Sequence, residues 1–216
     1  MSKTVLPKTK IIKVQNDWKL IKNHCRATDN KDFTDAEPTD EWVRKLLMTE
    51  HSPIRECQFV WRWEEMPYWV STELSRHKFE KFISTQRDDR VKDVIPRGKK
   101  PQDALVTFDG FANEQSLIDM ARKRLCFCAT QQARNYVLSL KFEMKKQGYK
   151  HEADVLVPNC IYRGFCPEEF NSTCKFFENF LHSAKLNLVD LSNGKERYDF
   201  YNKTLEDIYM ATGDIK

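Results

Sequence analysis

The seven residues Cys57-Gln-Phe-Val-Trp-Arg-Trp63 constrain this chain more than any other stretch of it. Cys57, Phe59, Trp61 and Trp63 recur at period two, so an extended backbone carries all four on one face. The segment is therefore a strand. Its rings fit the composition: 5 Trp, 7 Tyr and 14 Phe stand among 216 residues of which only 40% are hydrophobic, so the chain folds around aromatic side chains. That length is enough for a substantial core and short for two, and one domain over residues 1–216 is expected.

Charge narrows the range of partners. Thirty-six Lys and Arg against 32 Asp and Glu leave +4, an excess that suits an anionic small molecule and by itself makes no case for nucleic acid. No apolar run approaches the roughly 18 residues that span a bilayer, and Met1 to Lys8 hold no apolar stretch of secretory length. A cytoplasmic protein without a membrane partner is expected. Its 7 cysteines, an odd number, are expected as reduced thiols. Cys126 and Cys128, with Cys160, Cys166 and Cys174, contain no C-x-x-C pair, so they are read as buried apolar residues and no metal site is expected. His24 and His151 belong to no partner pattern.

Loose alternation over residues 5–14 predicts a first strand, and residues 17–26 a short helix with Trp18, Leu20 and Ile21 inward. Residues 29–38 are a loop. Thr39 is the N-cap of a helix carrying Trp42, Val43, Leu46 and Leu47, which stops near His51-Ser52-Pro53 because proline disfavours helix in the residue before it. Pro67 starts another helix, striped by Trp69, Val70 and Leu74 and running into Arg76-His77-Lys78. Residues 79–101 are polar and charged and are read as one long loop of the kind that carries function. Helices follow through Leu117, Met120, Ala121 and Leu125, and through Ala133, Tyr136, Val137 and Leu140 to about Gly148. Two more run through Phe176, Phe177, Phe180 and Leu181, and through Tyr198, Tyr201, Leu205, Ile208 and Tyr209 to just before Gly213.

Arg76, His77, Lys78 and Arg87, with hydroxyls at Ser84 and Thr85, offer what a phosphate or a pyrophosphate binds, because guanidinium and backbone donors share its oxygens. The same residues also read as a solvated charged helix end. The order of the pieces resembles the flavin-dependent thymidylate synthase family, whose signature is Arg-His-Arg, seven residues, then Ser. Arg76-His77-Lys78 stands for its start, and Ser84-Thr85-Gln86-Arg87 for its end with one residue fewer between. His51-Ser52-Pro53 matches the family's turn before the preceding strand, residues 153–158 its helix ending in Leu-Pro, and Asn171-Ser172-Thr173 its Asn-led helix. The likeness covers roughly residues 40–182.

The resemblance implies an α+β fold, a mixed or antiparallel sheet flanked by helices, assembled as a homotetramer with active sites shared between subunits. It implies transfer of a one-carbon group from methylenetetrahydrofolate to C5 of dUMP, giving dTMP, with FAD as carrier and NADPH as reductant. Transferred by position, Ser52, Arg76, His77, Lys78, Asn171, Ser172 and Thr173 hold FAD. Arg76, Ser84, Thr85 and Arg87 hold the nucleotide. Four departures change the electrostatics of the site. Lys78 lacks the planar fork of an arginine, Glu73 replaces a glutamine, Asp154 falls where an arginine binds the nucleotide, and His182 falls on the arginine that polarises the uracil. Replacement cations stand in Arg122-Lys123-Arg124, Arg134 and Arg163, which also read as exposed helix faces; Arg163, in an irregular segment, is the foremost of them. Two other readings follow from these departures. One is flavin-dependent C5 modification of dCMP, with Glu73 or Asp154 accepting from the cytosine amino group. The other is a non-catalytic, nucleic-acid-binding descendant of the scaffold that uses the basic residues 90–100.

Overall fold

The period-two face of residues 57–63 is the inner face of the central strand. In the computed structural model, which describes residues 6–91, 95–168 and 174–212, four strands form one antiparallel sheet. They are β1 (Thr9–Gln15), β2 (Gln58–Pro67), β3 (Glu80–Ile83) and β4 (Leu105–Asn113), in the order β1-β2-β4-β3. Cys57, Phe59, Trp61 and Trp63 are all 0% exposed, as the alternation requires. Trp61 lies opposite Gly110 and Trp63 opposite Phe108. A Cβ on Gly110 would fall 2.2 Å from the indole of Trp61, so the larger side chain fills the space that glycine leaves. On the outer face Arg62 donates twice to its cross-strand neighbour Asp109, at 2.7 Å each.

Helices cover the inner face. α1 (Trp18–Thr28) and α2 (Asp40–Thr49) precede β2, and a 3-10 turn, Ser52–Glu56, leads into it. The predicted N-cap is in place, since Thr39 Oγ1 accepts from the Trp42 amide at 3.2 Å. α3 (Tyr68–Leu74) follows β2, while α4 (Glu114–Arg124) and α5 (Gln131–Lys146) follow β4. α6 (Lys150–Asp154), α7 (Asn159–Arg163), α8 (Phe176–Leu186) and α9 (Gly194–Thr212) complete the described chain. α5 is the central helix, buried almost all round from Ala133 to Met144. Three hydroxyl and indole groups fix it on the sheet: Trp63 Nε1 donates to Thr9 Oγ1 at 2.8 Å, and that oxygen meets Ser139 Oγ at 2.6 Å. Trp63 also packs on Trp61, Phe108 and Tyr136 with centroids 5.4 to 5.5 Å apart, the spacing at which edge-to-face rings attract.

Several expectations are corrected. Residues 79–101 are not one loop: Glu80–Ile83 is the edge strand β3, and Arg97–Lys99 is a 3-10 turn. β3 is short and charged, with Glu80 and Phe82 exposed, and its extended form comes from pairing with β4. β4 itself and the five-residue helix α7 have no counterpart in the sequence reading, and the helix matched to residues 153–158 is α6, which ends at Asp154 and not at the proline. Helix α3 ends at Leu74, before Arg76-His77-Lys78. Leu20 is 38% exposed, so the inner face of α1 is carried by Ile21 with Trp18 partly covered. No helix among the described residues is long and apolar enough to cross a membrane.

Candidate functional site

The turn after α3 is held at both ends. Arg124, at the C-terminus of α4, donates Nε to His77 Nε2 at 2.8 Å, and its other nitrogens reach the Glu73 carbonyl at 2.9 Å and the Glu73 carboxylate at 3.2 Å. Thr130 Oγ1 donates to the same carboxylate at 2.9 Å. Lys81 caps the carbonyls of His77 and Phe79 at 2.9 and 3.0 Å. Burial, followed by the charges of Arg124 and Lys81, lowers His77 to about 4. The imidazole is therefore neutral at physiological pH. With Nε2 accepting from Arg124, its proton is assigned to Nδ1, which has no partner among the described residues and is left to donate.

His77, Arg122, Lys123 and Arg124 line a cavity of about 270 Å³ together with Asn159, Phe176 and Phe177. Arg122 is committed: it pairs with Glu50 and lies 3.6 Å over the ring of Tyr162. Lys123 makes no hydrogen bond or ion pair with a described residue, and neither do the exposed Arg76 and Lys78 that flank His77. One cation in the lining, Lys123, and two beside His77 in sequence thus have side chains without a partner among the described residues.

The other expected site residues are dispersed. Ser52 is the exposed first residue of its 3-10 turn, and Asn171, Ser172 and Thr173 lie outside the described residues. Ser84 joins the sheet edge, its Oγ accepting from the Thr107 amide at 3.0 Å, and the exposed Thr85 accepts from the Arg87 amide at 3.2 Å. Arg87 is exposed and donates twice to Asp89, at 2.9 and 2.7 Å. Arg163 is exposed and bonds Asn159 Oδ1 at 3.0 Å, and Arg134 caps the carbonyls of residues 126, 127 and 129. His182 is exposed on α8. Asp154 is buried among lysines, 2.7 Å from Lys145 and also paired with Lys150. Burial alone would raise its carboxyl, but Lys145, Lys150 and Lys141 overcome this and hold it below the usual range. It does not line the cavity.

The sequence reading missed who else lines that cavity. Cys126, Cys128, Cys160, Cys166 and Cys174 all do. Cys128 is within hydrogen-bonding reach of Cys126 and Cys174; burial, then those two thiols, raise it to about 12. Burial, then Cys126 and Cys166, raise Cys160 to about 12. Among the described residues no three His, Cys, Asp or Glu side chains close on one point as the ligands of a single ion would. The available signal was density, five of seven cysteines between 126 and 174, and a search for C-x-x-C pairs could not register it.

No family model matches the chain, and no curated protein matches it by sequence. Solved structures do match. Among them is the flavin-dependent thymidylate synthase ThyX of Helicobacter pylori complexed with FAD and dUMP, at a TM-score of 0.53 and 10% identity, covering 66% of this chain and 96% of that one. The fold is that of a flavin-dependent thymidylate synthase. The α+β expectation holds in its antiparallel form, and at this identity the likeness reaches the backbone path alone.

Proposed function

We propose that the chain is a flavin-dependent enzyme that transfers a one-carbon group from methylenetetrahydrofolate to C5 of a pyrimidine deoxynucleotide, dUMP in the first instance. The observation that carries this is the His77 turn. In a fold shared with a protein that holds FAD and dUMP, it sets a neutral imidazole donor in the lining of a cavity with the uncommitted Lys123, and between the exposed Arg76 and Lys78 in sequence. The residues fit a flavin in charge. Lys123, Arg76 and Lys78 complement a pyrophosphate, and Nδ1–H of His77 donates to a phosphate or ring oxygen. A cavity of about 270 Å³ is below the roughly 300–1,000 Å³ of drug-sized sites, so one chain offers part of a dinucleotide site and a second subunit the rest, as in a homotetramer.

When bound, reduced flavin supplies the carrier for the one-carbon group and the hydride, with NADPH as its reductant. The chain's own residues bind and orient. Ser52, Arg76, His77, Lys78, Asn171, Ser172 and Thr173 hold the cofactor; Ser84, Thr85, Arg87 and Arg163 hold the nucleotide. His182, exposed on α8, acts on a base presented from a neighbouring subunit and favours negative charge on its carbonyl when protonated. Glu73 is held by Arg124 and Thr130 and serves the site by fixing the turn; Asp154 contributes by keeping α6 against α5.

The test is direct. Purified protein is titrated with FAD, then given reduced FAD and methylenetetrahydrofolate with dUMP or dCMP, and the product is identified by mass. His77→Ala with Lys78→Ala is expected to lose flavin binding while keeping the parent's circular dichroism. A double variant that binds FAD as the parent does removes the turn from the cofactor site. Product from dCMP alone transfers the reading to cytosine.

A further inference from the structure

We infer that the outer face of the sheet is a self-association surface, on which a second copy of this chain docks about a two-fold axis parallel to the strands. The registers set the side chains of this face in rows. One row runs Lys10, Arg62, Asp109, Phe82 and the next Lys13, Val60, Phe111, Glu80, each in the order β1, β2, β4, β3. The face lies open: Phe82 is 67% and Phe111 38% exposed, and Lys10, Lys13 and Glu80 are exposed with them. Two rings on neighbouring strands, left to water on one sheet face, mark a surface that gains from being covered.

The charge pattern names the occupant. Arg62 and Asp109 neutralise each other in the middle of the face. Lys10 and Lys13 at the β1 edge and Glu80 at the β3 edge have no hydrogen-bond or ion-pair partner among the described residues. Three strand spacings put Lys13 and Glu80 roughly 14 Å apart, beyond pairing within one chain. Turning a second copy over about an axis along the strands exchanges β1 with β3 and β2 with β4. Lys13 of each copy then meets Glu80 of the other, Lys10 meets the ring of Phe82, and Val60 meets Phe111. The other in-plane axis, across the strands, lays β1 on β1 with like charges opposed, so only the first arrangement is self-complementary. Lys13, Gln15, Gln58, Val60 and Phe111 also line a shallow depression of about 150 Å³, the volume of a cavity that takes up benzene. It lies beside Val60, where this axis delivers the Phe111 ring of the second copy.

Four strands by about five residues make a face of roughly 300 Å² per copy, small against the roughly 800 Å² a side of a stable complex, so the association is weak. No residue that lines the cavity of about 270 Å³ belongs to this face, so the inference does not rest on the flavin reading. Its test contains neither flavin nor nucleotide, and its failure leaves that reading as it stands. Sedimentation velocity of the full chain from about 10 μM to about 1 mM, the range for a face of this size, is expected to show the mass rising twofold. Glu80→Lys and Lys13→Glu are each expected to weaken the association by about tenfold or more, and the two together to restore it, because the exchange rebuilds both pairs with their signs reversed. Phe111→Ser is expected to weaken it while keeping the parent's circular dichroism, and it carries the test if either reversal unfolds the chain. A constant mass over the range, single reversals without effect, or a double reversal as weak as the singles overturns the inference. A single-stranded oligothymidylate that binds the parent and not Phe111→Ser gives the face to nucleic acid and overturns it as well.

Discussion

Arg87 donates one edge of its guanidinium, Nε and Nη2, to Asp89, so its availability to a ligand is set by that neighbour. Removing Asp89 frees the fork: Asp89→Ala is expected to tighten nucleotide binding, and Arg87→Ala to weaken it by about ten- to a hundredfold, the range of one charge-assisted contact. Isothermal titration with dUMP reads both, and equal affinities in parent and variants take Arg87 out of the site. Asp154 belongs to a different kind of constraint. Replacing it by arginine puts a third buried cation beside Lys145 and Lys141, at an expected cost of about 3–5 kcal/mol, read by urea denaturation. An Asp154→Arg protein as stable as its parent shows that the lysine cage does not carry that load. The two carboxylates look alike in the sequence, and only packing separates a surface partner from an internal one. The Arg76-His77-Lys78 turn was legible because its residues are adjacent. The five thiols were not, because they lie in four separate segments that meet only when α4, α5, α7 and α8 pack together.

At the scale of elements, β2 announces itself through period two with large rings, whereas β4 carries Thr107, Asp109 and Gly110 among its apolar residues and gives a weaker signal. Gly110 is small because Trp61 lies over it, and that reason is invisible along the chain. Gly110→Ala is expected to destabilise by about 1–3 kcal/mol through overpacking, measured as a lower denaturation midpoint. α6, five residues long, lacks the length to stand alone, and its position depends on Lys141 of α5, whose Nζ donates to the Ala153 and Leu156 carbonyls at 2.8 Å each. At the start of α4 the buried Glu114 has no hydrogen-bond partner for either carboxylate oxygen among the described residues. Burial first, then Glu152, raise its carboxyl well above the ordinary 4.5. Between 4.5 and that raised value the folded chain binds a proton that the unfolded chain has lost, so this residue's contribution to stability falls as pH rises. Glu114→Gln is therefore expected to gain thermal stability over the parent progressively from pH 5 to pH 8. A constant difference across that range assigns the titration elsewhere.

Across the whole molecule, the proposed function makes the cavity of one chain part of a site shared between subunits, which would link cofactor binding to assembly. Flavin occupancy and subunit association are expected to rise together as protein concentration is raised, in sedimentation followed at a flavin wavelength; flavin sedimenting with a monomer separates the two. The hydroxyl pair that fixes α5 to the sheet has a further effect, on the order of events during synthesis. Thr9 and Ser139 are 130 residues apart, and the indole of Trp63 needs the same Thr9 oxygen. Until the ribosome has released α5, the aromatic face of the growing sheet lacks its central helix, and this long-range closure slows folding. A nascent chain of this protein therefore leaves Trp61 and Trp63 incompletely covered while residues 64–146 are made, and chaperones that cover such surfaces in that interval are expected to raise its yield.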